Sequence, residues 1–236
     1  MKGPDEATIA VIIPALNEEQ SIEKVVTELP EWVHQIIVVD NGSTDKTAER
    51  ARNAGAIVVS EPIKGYGRAC LAGIAAAKSD IIVFMDADAA DDPADLPALL
   101  APLLNGTADF VIGSRLSGFV EPGALTLTQR FGNQLACKLM GIFWNGQFTD
   151  LGPFRAIRSH DLQKLQLNAL TYGWTVQMQV RCLKAGLRSI EVPVHYRRRI
   201  GTSKISGTFK GVVLAGFYIL STIGVEAIQR KKPKNP

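Results

Sequence analysis

An α/β fold, with a mostly parallel central sheet covered by helices on both faces, is predicted by three features of the sequence. Short runs rich in Val and Ile alternate with helix-period segments through the first half. The runs are apolar throughout rather than alternating, as strands buried on both faces require. Polar, acidic and glycine residues follow four of these runs directly, and that is the rim where parallel sheets gather ligands.

Thr8–Pro14 (TIAVIIP) reads as the first strand, too short for a helix and stopped by proline. The segment NEEQSIEKVVTELP then places Ile22, Val25, Val26 and Leu29 at helical spacing. Gln35–Asp40 (QIIVVD) is the second strand. STDKTAERARNAG is the next helix, with Ser43 or Thr44 as N-cap and Gly55 as its stop. AIVVS gives a third strand, and GRACLAGIAAAKS a small-residue helix able to lie close on a sheet. Asp80–Asp86 and Ala108–Ser114 are the fourth and fifth strands. In the second half, Leu125–Trp144 and Trp174–Gly186 read as helices, FRAIRS as a strand and LRSIEVPVHYRRR as an extended segment. A last helix, residues 208–230, runs into the basic tail RKKPK. No internal repeat or low-complexity linker interrupts the chain.

With 236 residues, 46% of them apolar and 21% charged, the chain can bury a substantial core and is not of disordered type. Cys70, Cys137 and Cys182 stand far apart without a CxxC pair, so neither disulfides nor structural zinc is expected and a reducing compartment fits. The start lacks a basic, apolar secretion leader. The longest uncharged run, Gly211–Val225, has 15 residues against the roughly 20 that a bilayer requires. The net charge of +3 conceals an asymmetry. Residues 1–118 hold 9 Lys and Arg against 18 Asp and Glu, a balance of −9. Residues 119–236 hold 17 against 5, a balance of +12. Such segregation suits a site with an acidic, cation-binding wall facing a basic, anion-binding one, though scattered surface charge gives the same totals.

The stretch MDADAADDP follows the fourth strand. Four carboxylates in seven residues repel one another unless they face water or share a cation. Asp86 and Asp88, at i and i+2 beyond a strand end, can both reach a hard divalent ion, Mg2+ or Mn2+, which in turn can bridge a diphosphate. Asp91, Asp92 and Asp95 are expected to cap the helix beginning LPALLAPLL, or to support the pair from behind. His34, His160 and His195 have no metal-ligand spacing and are expected to be structural or solvent-facing. Trp144, Trp174 and Tyr172 suit either an acceptor groove or the core.

Seven motifs occur in order: VIIPALNEE, DNGSTD, KGYGRA, MDAD, GSR, DLGPFRA and RRRIGTSKISG. In this series the chain resembles the family 2 glycosyltransferases of the GT-A fold, and within them the polyprenyl-phosphate or dolichol-phosphate sugar transferases, along nearly its whole length. The resemblance implies one GT-A domain over 1–236, with a nucleotide-sugar half at 1–118 and an acceptor half at 119–236 that ends in an amphipathic helix. It implies transfer of a sugar, with inversion, from a nucleotide-diphosphate donor to a polyprenyl phosphate or other lipid acceptor. Pro14, Glu18, Asp40, Lys64, Asp86, Ala87, Arg198 and Lys204 would then bind the nucleotide sugar, with Arg198 and Lys204 closing over the diphosphate. Arg115 and Arg130 would grip the acceptor phosphate, since arginine forks match phosphate oxygens. Asp86 and Asp88 would hold Mg2+ or Mn2+, and Asp88 and Asp150 are the candidate catalytic carboxylates. The glycines of KGYGRA would allow close approach to the nucleotide. No nucleic-acid partner is expected.

Two positions depart from the family pattern. Gln177 stands where relatives often carry Glu, and Ala90 where a polar side chain can serve the metal. A phosphate acceptor is already ionised near neutral pH, so it needs no base, and Asp150 is then expected to position rather than to deprotonate. Transfer to a hydroxyl acceptor, or a nucleotide-sugar-binding homologue with little activity, is the alternative. A lipid acceptor would place the protein at the inner, cytoplasmic face of a membrane, docked through Leu125–Trp144 and the terminal helix. The same helices could equally complete the core or a dimer interface.

Overall fold

The computed structural model describes residues 7–202 and 209–229. Its seven-stranded sheet is formed by β1 (Ile9–Ala15), β2 (Gln35–Asp40), β3 (Ile57–Ser60), β4 (Ile81–Phe84), β5 (Phe110–Val120), β6 (Arg155–Arg158) and β7 (Ser189–Tyr196). The spatial order is β3-β2-β1-β4-β6-β5-β7. The first four strands pair in parallel, as does β5 with β7. The exception is β6, antiparallel to both of its neighbours, with Phe84 opposite Arg155 and Val111 opposite Ala156. The fifth strand runs six residues past the expected Ser114.

The helices are α1 (Ile22–Thr27), α2 (Thr47–Asn53), α3 (Tyr66–Ala76), α4 (Leu96–Leu104), α5 (Leu127–Trp144), α6 (Ser159–Lys164), α7 (Trp174–Lys184) and α8 (Phe209–Gln229). Continuous apolar strands are explained by the two cores they feed. Ile9, Val11 and Ile13 of β1 and Val83 of β4 join Val25, Val26, Leu99 and Leu103 on one face. Ala10 and Ile12, with Ile82 and Phe84, meet Cys70, Met140, Trp174 and Met178 on the other. The period-two alternation of strand side chains thus sends every second residue into a different core, and both must be apolar. A Cβ on Gly73 would run into Ile12, so α3 lies as close to the sheet as its small residues allow.

The expected cap of the second helix differs. Lys46 occupies the N-cap of α2, because Ser43 Oγ is engaged by the Asn17 N–H at 2.9 Å. In contrast, Thr126 and Gln129 form a reciprocal capping box that opens α5. Among the described residues no helix is long and apolar enough to cross a membrane.

Candidate active site

The carboxyl ends of β1, β2 and β4 surround a cavity of about 250 Å³. Pro14 enters it from within β1, which runs through the proline to Ala15 instead of stopping there, Glu18 from the segment after β1, and Asp86, Ala87 and Asp88 from the loop after β4. Lys64 and Tyr66 border it at the start of α3, with Tyr172 and Arg199 from the second half of the chain. A wider depression of about 400 Å³ lies at the opposite edge, near Thr8, Lys78 and Ser159, without paired carboxylates.

The acidic loop is built tightly. Ala89 adopts φ 63°, a left-handed conformation that turns the chain between Asp88 and Asp91. Ser21 Oγ donates to the Ala87 carbonyl at 2.7 Å. Asp86 accepts the Tyr66 hydroxyl at 3.2 Å on Oδ1, and its Oδ2 takes no hydrogen bond from a described residue. Burial, then the neighbouring Asp88, push the Asp86 carboxyl up to about 7. Asp88 uses Oδ1 to accept the Ala90 N–H at 3.0 Å and Oδ2 to face Arg199 Nη1 at 3.2 Å. Asp91 does not cap a helix. It accepts the Asp86 N–H at 3.1 Å, its other oxygen is buried without a partner, and burial, with Asp86 and Asp88, raises its pKa. Asp92 caps the 3-10 turn at Pro93–Asp95, and Asp95 instead holds His195.

The cation opposite this loop is Arg199, which the sequence does not single out, rather than Arg198. Backbone bonds from Arg197 N to Ala90 O and from Ile200 N to Asp88 O, each 2.8 Å, lay the basic run along the acidic loop. Alternation then divides the three arginines. Arg199 bridges Asp88 and Glu18, the latter at 2.9 Å. Arg197 turns to Glu28 and the Asp91 carbonyl. Arg198 turns outward, its Nε donating to Pro122 O at 2.7 Å. Lys204 lies outside the described residues.

On the β2 side the cavity is lined by Asn41 and not by Asp40, which accepts the Ser43 N–H at 3.1 Å. Asn41 donates to the carbonyls of Glu61 and Ile63 and accepts the Gly65 N–H at 2.7 Å, so it holds the loop that carries Lys64. The glycines of that loop admit protein backbone: a Cβ on Gly65 would strike the Leu170 carbonyl, and one on Gly67 the Ala169 carbonyl. Tyr172 lines the cavity, whereas Trp174 is fully buried against Phe84.

Beyond the acidic loop, Arg115 and Asp150 form a buried pair. Arg115 Nε and Nη2 reach the two Asp150 oxygens at 2.8 and 2.7 Å, and the Arg115 N–H adds a third bond at 2.8 Å. Burial alone would raise the Asp150 pKa, but the Arg115 charge and these bonds outweigh it and hold the carboxyl below the usual range. Asp150 is fully buried with both oxygens committed. It orients Arg115 and is not poised to take a proton. Fully buried Arg155 grips the carbonyls of Leu151, Gly152 and Thr175, fixing the same loop from beneath. Arg130 sits exposed in the first turn of α5 and does not line the cavity.

An all-oxygen donor set, an uncommitted Asp86 oxygen and a partnerless buried Asp91 oxygen fit a hard divalent cation. Among the described residues no group of three or more His, Cys, Asp or Glu could hold one by itself.

The model of the family described as Glycosyl transferase family 2 matches residues 10–182. An uncharacterized glycosyltransferase of Mycobacterium bovis is 37% identical over 210 residues, 88% of this chain and 94% of that one. A dolichyl-phosphate hexose transferase of Haloferax volcanii is 31% identical over 204 residues, 84% of this chain and 86% of its own. The crystal structure of glucosyl-3-phosphoglycerate synthase from Mycobacterium tuberculosis, in complex with Mn2+, UDP and phosphoglyceric acid, superposes with a TM-score of 0.76. That match has 27% identity and covers 98% of this chain and 81% of that one.

Proposed function

As the chain belongs to glycosyl transferase family 2, we propose that it moves a sugar, with inversion, from a UDP-type donor to an acceptor hydroxyl. The observation that carries this reading is the cleft in which Asp86 and Asp88 face Arg199 at the carboxyl ends of β1 and β4. Asn41 and Pro14 would border the nucleoside, and Lys64 and Arg199 the diphosphate. Asp86 and Asp88 would hold Mn2+ or Mg2+, whose charge would offset that of the departing nucleoside diphosphate. Arg199 must leave Asp88 as the diphosphate arrives, exchanging one anionic partner for another. Residues 1–118 would thus supply most of the donor wall, joined by Tyr172 and Arg199 from the half that would serve the acceptor. Arg115, fixed by Asp150 on that side, suits an acceptor carrying a phosphate.

The solved relative binds phosphoglyceric acid and UDP, which supports a hydroxyl acceptor bearing phosphate over a lipid phosphate. A polyprenyl phosphate, used at the cytoplasmic membrane surface, is the second reading. It is favoured by the Haloferax relative and by exposed apolar side chains on α5 and α8, among them Leu127, Phe131, Phe217 and Ile228.

Thermal unfolding with UDP-glucose or GDP-mannose, with MnCl2 or with EDTA, tests the donor half. A ligand at about 100 times its Kd adds about 2.7 kcal/mol, so a shift is expected for UDP-glucose with Mn2+ and not with EDTA. No shift with either nucleotide sugar refutes the assignment. Nucleoside diphosphate release with phosphoglycerate or with polyprenyl phosphate then decides between the acceptors.

A further inference from the structure

Gln177 stands on α7, is 5% exposed and does not line the cavity, yet all four of its hydrogen-bonding capacities are filled. Its Oε1 accepts the N–H groups of Asn168 and Ala169 at 2.9 and 2.8 Å. Its Nε2 donates to Asn168 Oδ1 at 2.9 Å and to Glu226 Oε1 at 3.2 Å. Glu226, on α8 and 2% exposed, is in turn held by Arg181 Nε at 2.8 Å and Lys184 Nζ at 2.6 Å. Arg181 also reaches Asn168 Oδ1 at 2.9 Å and the carbonyls of Leu165 and Gln166. Centred on buried Gln177 and Glu226, the cluster ties α7 to α8 and holds the segment 165–169.

That segment abuts the cleft. The Ala169 and Leu170 carbonyls fill the space left by the missing side chains of Gly67 and Gly65, and Leu170 O accepts the Arg68 N–H at 3.1 Å. The turn so pinned carries Lys64 into the cavity and aims Tyr66 at Asp86, while Tyr172, two residues on, forms a wall of the same cavity. A shift in 168–170 must move this turn, because backbone meets backbone with no side chain to absorb the change.

We propose that Gln177 is a positioning residue for nucleotide binding: its amide, locked to Glu226, sets the 168–172 segment and through it the Lys64–Tyr66 wall of the cleft. An amide suits this place better than a carboxylate would. It satisfies two donors from the loop while donating to two acceptors, one of them the buried Glu226 carboxylate. A carboxylate at 177 would face that group with like charge.

The proposal rests on the nucleotide-sugar reading, so the experiment separates the two by measuring the Kd of UDP with MnCl2 calorimetrically, beside the melting temperature without ligand. Gln177→Glu is expected to weaken UDP binding roughly tenfold, as befits a lost buried hydrogen bond with an unsatisfied partner. The double variant Gln177→Glu, Glu226→Gln restores a donor between the two positions and should recover most of that loss. Asn168→Ala removes the receiving group from an exposed loop position without opening the core, so it keeps the test valid should Gln177→Glu fail to fold. It should weaken binding in the same direction. A purely structural role would lower the melting temperature and leave the Kd of the folded protein alone. Unchanged UDP affinity in Asn168→Ala and Gln177→Glu overturns the proposal while the functional reading stands. A wild-type protein that binds neither UDP nor GDP with MnCl2 overturns both.

Discussion

Replacing Asp150 by asparagine removes the charge that holds Arg115. The carboxylate is fully buried and accepts three bonds from Arg115, two from the guanidinium and one from the backbone. An asparagine can offer only one of the two oxygens and turns an NH2 toward the guanidinium, leaving a cation that is 13% exposed without its partner. Breaking one side of such a buried pair costs about 3–5 kcal/mol. In a chain of this size each kcal/mol lowers Tm by about 2–4 °C, so the expected drop is roughly 6–20 °C at neutral pH. The pH dependence has a definite sign. The folded-state pKa of Asp150 lies below its unfolded value, so the stabilisation is complete above the unfolded carboxylate pKa of about 3.9 and is lost as pH falls through the folded value. Circular-dichroism melts of both proteins should show a constant gap from about pH 5 to 8 and a closing gap below about pH 4. A gap under about 2 °C at pH 7, or one that widens on acidification, refutes the argument.

Other outcomes follow from the same geometry. Arg199→Ala leaves the nearly buried Asp88 and Glu18 carboxylates without their shared cation and should destabilise by about 1–3 kcal/mol. It should also weaken UDP binding with MnCl2 by about 10- to 100-fold in calorimetry, the value of a charge-assisted bond. Arg198→Ala, whose side chain turns to Pro122, should leave that affinity unchanged. The pair Asp86→Asn, Asp88→Asn should abolish the Mn2+-dependent part of the thermal shift by UDP-glucose, and a surviving shift would remove these residues from the metal site. Gly67→Ala should cost about 1–3 kcal/mol in denaturant unfolding, because its Cβ meets the Ala169 carbonyl. By contrast Gly132→Ala, in the exposed interior of α5 with nothing nearby, should stabilise by about 0.5–1 kcal/mol.

The first four strands are legible because residues such as Ile12 and Ile13 must satisfy opposite cores, which leaves an apolar run with no helical period. Strand direction leaves no such trace, and the reversal of β6 cannot be read from FRAIRS. The acidic loop and Glu18 are legible as residues beyond strand ends, and Pro14 as one of the last residues of its strand. Three consecutive arginines are not separable, since which one faces Asp88 depends on two backbone bonds between distant segments. Asn41 escapes notice because it follows Asp40, the residue that composition makes conspicuous. Gln177, read as the replacement of a base, is instead a saturated buried amide, a role fixed by Glu226 at 49 residues' remove.

The reversed strand has a consequence for how this architecture can change. Because β6 runs against β4, it starts at the rim where β4 ends, with Arg155 opposite Phe84. Asp86 and Asp88 therefore hang from a strand exit, and Asp150 with its loop from a strand entrance. The stretch between Asn145 and Phe154 enters the sheet through β6, on a separate strand from the exit that carries Asp86 and Asp88. Two relatives, named for a phosphoglycerate and for a dolichyl phosphate, carry molecules of different chemistry in their names, and a split between strand exits and a strand entrance gives one scaffold room for such a difference.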